Sequence, residues 1–210
     1  MRKIFIVTLL SLATVTYGQT QAPIQFYVGA GLNARYFMGS QESFGSNNRF
    51  TSYGFGLNAF FGAEIFRFVL FETLVNNTWT TSRFGDNDPN NMTWLGVTFS
   101  LFGQFPFYIP NLSNIRLSPL LGFGYDLKLF NQNNSASISS WRGDHDIVRN
   151  NDQIWLKMGG AANFNLTNNI LLHARLLYNI QLYRRWVADN SDVSQSHHGP
   201  NIMLGIKFVF

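Results

Sequence analysis

Asn201-Ile202-Met203-Leu204-Gly205-Ile206-Lys207-Phe208-Val209-Phe210 is the most informative segment of this 210-residue chain. From position 202 onward its even positions are all large and apolar, whereas its odd positions include Gly205 and Lys207. Alternation of this kind is typical of a β-strand with one apolar face. An apolar edge strand invites aggregation in water, but a barrel closed in lipid has no free edge. The segment therefore predicts the last strand of a closed membrane barrel.

The composition agrees with strands that face lipid on one side. Charged residues are 12% of the chain, against roughly 25% in soluble domains, and there are 21 Phe and 18 Gly. No apolar run after residue 18 reaches the roughly 20 residues that a spanning helix needs. Without Arg2 and Lys3 the basic count falls from 15 to 13, against 11 acidic residues. The high isoelectric point therefore does not indicate a nucleic-acid partner.

The first residues have the pattern of a secretory signal peptide. Met1-Arg2-Lys3 is basic, residues 4–15 are mostly apolar, and Thr16-Tyr17-Gly18 places small residues around a cleavage site. We expect residues 1–18 to be removed and residues 19–210 to form one barrel domain. The absence of Cys excludes disulfides and thiolate metal sites.

Period-2 alternation predicts eight strands, each at least about the 9 to 11 residues that a tilted membrane strand requires. The expected fold class is all-β, an eight-stranded antiparallel up-and-down transmembrane barrel. An alternative is a soluble sandwich or a lipocalin-like barrel, whose apolar face points inward. The predicted strands are Phe26–Tyr36, Tyr53–Ile65, Phe68–Ser82, Met92–Phe107, Ile115–Leu129, Ile154–Leu166, Ile170–Trp186 and residues 201–210.

The connections alternate in length, with polar loops predicted at residues 38–52, 83–91, 130–151 and 187–199, and shorter turns between them. Long loops on one side and short turns on the other are typical of outer-membrane barrels. Four tryptophans fall near the long-loop ends of their strands, as an aromatic girdle would. They are Trp79, Trp94, Trp155 and Trp186.

Together these features resemble the small outer-membrane barrels of the OmpA/OmpX type and the PorT-like barrel proteins of Bacteroidota, over essentially the whole mature chain. The resemblance implies the outer membrane of a Gram-negative bacterium, with both termini in the periplasm and with lipid and lipopolysaccharide around the wall. It also implies that Phe208 and Phe210 form part of the signal read by the barrel-assembly machinery.

An eight-stranded barrel has room inside for its own side chains or for one small ligand. Buried charges are costly unless they pair, so we expect a lumenal network of ion pairs that plugs the barrel. A ligand site or a narrow anion-biased passage is the alternative. The predicted network is Arg35, Glu64, Glu72, Arg116, Asp126, Lys128, Lys157, His173, Arg175, Arg185 and Lys207.

Two arginines, Arg83 and Arg184, are predicted to face outward near the long loops, in phase with apolar positions of their strands. Guanidinium groups there match lipopolysaccharide phosphates bidentately. Snorkelling of the same side chains to water is an equal alternative.

Residues that carry chemistry are sparse, and we predict no catalytic, cofactor-binding or metal-binding residues. A lipid A-modifying hydrolase or acyltransferase needs a Ser, a His and an acid acting as one unit. Those residue types occur together in one predicted loop, at Asp192, Ser194, Ser196, His197 and His198.

The sequence therefore favours a non-enzymatic barrel with a structural or protein-interaction role, alone or as an accessory subunit of a larger envelope complex. Loop 130–151, which contains Trp141, is the predicted contact surface for other envelope proteins. An outer-leaflet lipid-modifying enzyme and a narrow anion-biased channel or small-ligand binder are the alternatives.

Overall fold

A computed structural model describes residues 23–43, 46–84, 90–109, 112–133, 138–141, 152–184 and 194–210 of the chain. The predicted signal peptide therefore lies outside the described residues. Ten strands are present in the described part. They are β1 (Ile24–Ser43), β2 (Ser46–Ile65), β3 (Val69–Phe84), β4 (Asn90–Gln104), β5 (Phe107–Ile109), β6 (Leu112–Asn133), β7 (Ile138–Trp141), β8 (Gln153–Asn165), β9 (Ile170–Arg184) and β10 (Ser194–Val209).

Eight of these strands close into an antiparallel barrel in the order β1, β2, β3, β4, β6, β8, β9, β10. The seam pairs β10 with β1, from Tyr27 opposite Val209 to Glu42 opposite Ser194. Strands β5 and β7 are short additions that pair with β6. The predicted eight-stranded barrel is confirmed, including closure of the last strand against the first. No helix among the described residues is long and apolar enough to cross a membrane.

The wall of the barrel is apolar outside and polar inside. Phe55 is 66% exposed and Leu204 is 57% exposed on the outer face, whereas Glu72 and Lys207 on the inner face are 2% and 4% exposed. A soluble barrel of the lipocalin type has the reverse polarity. An apolar outer wall around a polar interior is the arrangement of a barrel that spans lipid.

Several predicted loops are in fact strand. Residues 38–52 continue the β1–β2 ladder until Ser43 pairs with Ser46. Part of the predicted loop 130–151 is also paired, because β6 continues to Asn133 and turns back through β7. Likewise β10 begins at Ser194 rather than at residue 201. Above the lipid a strand needs no apolar face, so its sequence loses the alternation while its backbone hydrogen bonds continue.

The turn between β2 and β3 is strained. Phe66 and Arg67 both have positive φ angles, 48° and 64°. Two successive residues of this kind form the turn that matches the twist of a hairpin, and Asn-Gly is the pair that usually supplies it. The predicted short turn at these residues is confirmed, although neither residue favours its conformation.

Candidate functional site

Two bidentate ion pairs cross the barrel lumen. Arg116 donates through Nη1 and Nη2 to the two carboxylate oxygens of Glu64, at 2.8 and 2.9 Å. Arg175 donates in the same way to Glu72, at 2.5 and 2.7 Å. Parallel paired hydrogen bonds of this kind are the strongest and most directional that an arginine makes with a carboxylate. We call these two pairs the lumenal struts.

The closed strand order explains why the struts span the interior. Glu72 on β3 and Arg175 on β9 belong to strands four positions apart among eight, so they approach from opposite walls. Glu64 on β2 and Arg116 on β6 are three positions apart. Each strut therefore joins separate parts of the barrel wall as well as pairing two buried charges.

An aromatic side chain connects one strut to a further lysine. The Tyr27 hydroxyl donates to Oε2 of Glu72 at 3.1 Å. The ammonium of Lys207 lies 3.7 Å from the centroid of the same ring, within the range of a cation–π contact. Arg175 packs over the Phe102 ring at 5.6 Å. Tyr27 and Phe102 were not in the predicted network, although both face the lumen and are nearly inaccessible.

A second polar layer lies closer to the long hairpins. Thr98 donates to a carboxylate oxygen of Asp126 at 2.6 Å, and the Lys128 ammonium lies 3.8 Å from the other oxygen. Lys157 donates to the Ser100 hydroxyl at 3.1 Å. This layer thus joins β4, β6 and β8 through hydroxyl, carboxylate and ammonium groups.

The predicted lumenal residues are placed largely as expected. Eight are buried on the inner face, and Arg35 and Asp126 are half-buried. His173 accepts or donates a hydrogen bond with Asn163 at 2.8 Å, according to its tautomer. Arg185 lies outside the described residues. The eight are Glu64, Glu72, Arg116, Lys128, Lys157, His173, Arg175 and Lys207.

The assignment of Trp155 to an outer girdle is wrong. Its side chain is 3% exposed and stacks on Phe37, with ring centroids 5.2 Å apart and ring planes at 22°. Odd positions of β8 face the lumen, as Lys157 shows, so Trp155 follows the same phase. Arg35 lies 5.8 Å from the Phe37 centroid. These groups form an aromatic and cationic layer inside the barrel.

The other three tryptophans differ from one another. Trp79 packs beside the highly exposed Phe55, with centroids 5.4 Å apart, and so belongs to the outer face. Trp94 is half-buried, and the ammonium of the inward-facing Lys128 lies 5.9 Å from its centroid. Trp94 therefore contacts the lumenal layer instead of forming part of a lipid-facing girdle. Trp186 lies outside the described residues.

The remaining predicted positions are on the outer face or beyond the described side chains. Arg83 on β3 is exposed. The backbone of Arg184 pairs with Gln153, beyond a register shift on the β8–β9 ladder. This shift interrupts the alternation that predicts an outward side chain for Arg184. The side chain itself is outside the described part of the structure. Phe208 and Phe210 are 46% and 72% exposed, at the end of the β1–β10 seam.

The serines and histidines near residue 196 are not in a loop, as predicted, but on β10. The Ser196 hydroxyl lies 3.4 Å from that of Ser40. His198 makes a hydrogen bond through Nδ1 with the Tyr178 hydroxyl. Asp192 lies outside the described residues. The described contacts of Ser196 and His198 are thus with other residues, not with each other.

One anchoring residue was missed by sequence reasoning. Asp152 precedes β8 and is 2% exposed. It accepts hydrogen bonds from the Tyr125 hydroxyl at 2.8 Å and from the Lys128 backbone amide at 3.0 Å. It thus fixes the start of β8 to β6, near the bulge between Leu95 and Gly96 on the β4–β6 ladder. Asp152 follows a run of polar residues without period-2 alternation, so the sequence pattern does not identify it.

The lumen contains small, separate cavities. One of about 30 Å³ lies beside the Glu72–Arg175 strut and Lys157. Another of about 70 Å³ lies towards the short turns and is lined by Glu64, Arg116 and Lys207. Both exceed the volume of roughly 10 to 15 Å³ that one water requires. Neither has the dimensions of an open solute pore.

Comparison with known proteins shows the fold. No protein-family model and no curated protein matches the chain. The outer membrane protein OprG of Pseudomonas aeruginosa is 12% identical, with a TM-score of 0.52, and the alignment covers 89% of this chain and 95% of that chain. Neisserial surface protein A (NspA) is 16% identical over 87% of this chain and 96% of its own, with a TM-score of 0.46. Ail, the attachment invasion locus protein of Yersinia pestis, is 16% identical over 87% and 98%, with a TM-score of 0.33. The likeness to OprG shows that the chain has the fold of an outer-membrane β-barrel.

Proposed function

We propose that the chain is an integral outer-membrane barrel of a Gram-negative bacterium that acts as a structural or protein-binding subunit, not as an open pore. The apolar outer wall supports the membrane location. The two lumenal struts support a closed interior, because each one joins distant walls of the barrel. We also propose that the chain is one of the PorT-like barrel proteins of Bacteroidota.

The orientation follows from the asymmetry of the two ends. At one end the strands are joined by short turns, such as that at residues 66–68. At the other end they extend well beyond the length needed to cross lipid. Outer-membrane barrels have their short turns in the periplasm, so we assign the short-turn end and both termini to that side.

The observation that carries the proposed role is the length of β1 and β2. Each has 20 residues, whereas about 9 to 11 suffice to cross a bilayer. The ladder between them remains paired up to Ser43 and Ser46, and β10 joins it as far as Ser194. A three-stranded sheet therefore projects beyond the lipid. We call residues 38–43, 46–51 and 194–198 the projecting sheet.

The hairpin of β6 and β7 projects from the same end of the barrel, with Phe130 paired to Trp141. Preformed surfaces of this kind cost little entropy on binding. The projecting sheet also has backbone edges, since β2 pairs with β3 only from Phe50. An edge strand can accept a strand from a partner. We propose that the projecting sheet and loop 130–151 together bind another envelope protein.

Deletion of residues 133–149 tests this role. The barrel should still fold, as judged by the mobility shift between unheated and boiled samples in electrophoresis, while co-purification of the partner in mild detergent should be lost. As a matched control, the double variant Glu72→Gln/Arg175→Gln alters the lumen alone and should retain the partner. Retention of the partner by the deletion variant would refute the assigned surface, and failure of the deletion variant to fold would refute the idea that the hairpin serves binding alone.

Arg83 supports a lipid contact at the same rim. It is exposed on β3, opposite Thr51 near the end of the lipid-spanning region. We propose that it binds lipopolysaccharide phosphate. Arg83→Gln should lower the amount of lipopolysaccharide that co-purifies with the barrel, whereas Arg83→Lys should lower it less because it keeps the charge but not the bidentate geometry.

A further inference from the structure

A polar cavity at the short-turn end of the lumen has the features of an anion site. Its volume is about 70 Å³, and its buried wall includes Tyr27, Glu64, Arg116 and Lys207. Towards the turns it is lined by Gln25, Asn165 and Asn168, of which both asparagines are exposed. The cavity therefore runs from the buried charges towards the aqueous end of the barrel.

The charges around this cavity do not balance. Both oxygens of Glu64 are already engaged by Arg116, at 2.8 and 2.9 Å. Lys207 is 4% exposed, yet no carboxylate of the described residues lies within ion-pair distance of its ammonium. Its ammonium instead contacts the face of the Tyr27 ring. Within the described part of the chain, Lys207 therefore has no ion-pair partner of its own, at a position from which bulk water is largely excluded.

A buried ammonium of this kind is costly unless an opposite charge or several hydrogen bonds compensate it. The cation–π contact with Tyr27 provides about 2 kcal/mol at most when desolvated, which is less than the several kcal/mol that a buried ion costs. Nε of Arg116 also has no hydrogen-bond partner among the residues that the structure describes. Tyr108, Gln25, Asn165 and Asn168 line the same cavity, and their side chains carry hydroxyl and amide donors that an anion can accept from.

We infer that this cavity binds a small inorganic anion, of the size of chloride or phosphate, with Lys207 as its main charged contact. The volume accommodates one such ion with some of its water, because each water needs roughly 10 to 15 Å³ of this kind of space. A sugar acid or a nucleotide is too large. The bound ion supplies the counter-charge that Lys207 lacks, and so it stabilises the folded barrel by mass action.

The test is thermal unfolding of the refolded full chain in sodium chloride, sodium phosphate or sodium gluconate at equal ionic strength, followed by electrophoretic mobility. We expect chloride or phosphate to raise the unfolding temperature saturably by several degrees relative to gluconate, which is too large for the cavity. Whichever ion saturates at the lower concentration identifies the preferred guest. Absence of any difference from gluconate in the wild type would overturn the site.

Three variants assign the effect to this cavity. Lys207→Gln should lose the anion response, and Lys207→Arg should keep it. Lys157→Gln removes a lumenal lysine that lines the other cavity and should keep the response; loss of the response there would show a diffuse lumenal effect and overturn the assignment. Asn168→Asp places a negative charge in an exposed turn without disturbing the buried network. It should raise the anion concentration needed for half-saturation, and an unchanged concentration would count against the site even if Lys207→Gln failed to fold.

Discussion

Arg175 and Glu72 are separated by 103 residues, yet they form a bidentate ion pair across the lumen from opposite walls of the barrel, with Nη2 to Oε2 at 2.7 Å. Both side chains are almost fully buried. The Tyr27 hydroxyl adds a third hydrogen bond to the same carboxylate. Three strands of the barrel lie between β3 and β9 in each direction, so the pair holds in place a cross-section that backbone ladders alone would leave deformable.

Replacing Arg175 by Met should destabilise the barrel strongly, because it leaves the Glu72 carboxylate buried without its charged partner. Loss of one member of a buried pair costs about 3 to 5 kcal/mol. The free energy of unfolding, from urea titration of the barrel refolded in lipid vesicles, measures the effect. The double variant Glu72→Gln/Arg175→Met should be more stable than Arg175→Met alone. If the losses in unfolding free energy from the two single substitutions simply added in the double variant, the two side chains would not be coupled.

Two glycines on the inner face of β6 should respond differently to the same small change. A Cβ at Gly122 would meet the backbone oxygen of Leu101 and, at 2.8 Å, Cα of Phe102. A Cβ at Gly124 would meet the flexible end of the Lys157 side chain. Gly122→Ala should therefore cost about 1 to 3 kcal/mol, as overpacking does, and Gly124→Ala distinctly less. Urea titration of both variants compares them directly, and equal losses would contradict the packing of Lys157 over Gly124.

The β2–β3 turn offers a test of backbone strain alone. Arg67 has a φ of 64°, which costs an ordinary residue roughly 1 to 2 kcal/mol and glycine very little. Arg67→Gly should thus be more stable to urea than Arg67→Ala by about 1 kcal/mol. Both variants lose the arginine side chain, so its contacts cancel in the comparison. If alanine proved the better residue, the left-handed conformation at this turn would be refuted.

The last residue should matter for assembly in the cell more than for folding. Phe210 is the end of the seam and exchanges backbone hydrogen bonds with Phe26, at 3.1 and 3.3 Å, and its side chain is largely exposed. Phe210→Ala keeps both backbone bonds. We expect normal refolding in detergent and reduced insertion into the outer membrane of expressing cells, measured by membrane fractionation. If insertion into the outer membrane were not reduced, Phe210 would not be part of the assembly signal.

Alternation predicted which face each strand turns to the lumen, because period-2 geometry depends only on local sequence. Glu64, Arg116 and Arg175 were placed inside for this reason. Their pairing was not predictable, since it depends on the register of strands from different parts of the chain. Register also bears on Arg184, which the alternation predicts to face outward: the shift between Ile154 and Trp155 on the β8–β9 ladder changes the phase of the residues beyond it.

The projecting sheet was not predictable from the sequence pattern, for a different reason. Alternation in a membrane barrel reports contact with lipid, and it disappears where a strand continues into water. Residues 38–42 therefore have the composition of a loop, although the structure pairs them on both sides, with β2 and with β10. The position of Trp155 near the long-loop end predicts an outer girdle, whereas the alternation of β8 turns its side chain to the lumen. Its neighbour Lys157, at the same phase, had been placed inside correctly.

The contrast between Trp155 and Trp79 can be measured by fluorescence. Trp155 is stacked on Phe37 inside the lumen, whereas Trp79 lies beside the exposed Phe55 on the outer wall. Bromine atoms on lipid acyl chains quench tryptophans that they contact. In variants that retain only one of the two tryptophans, with the other tryptophans replaced by Phe, brominated lipid should quench Trp79 strongly and Trp155 weakly. The additional change Phe37→Ala in the Trp155 variant should alter the emission of Trp155 without exposing it to the lipid. If Trp155 were quenched as strongly as Trp79, its side chain would face the lipid. The odd positions of β8 would then not face the lumen, because Trp155 and Lys157 share one face of that strand.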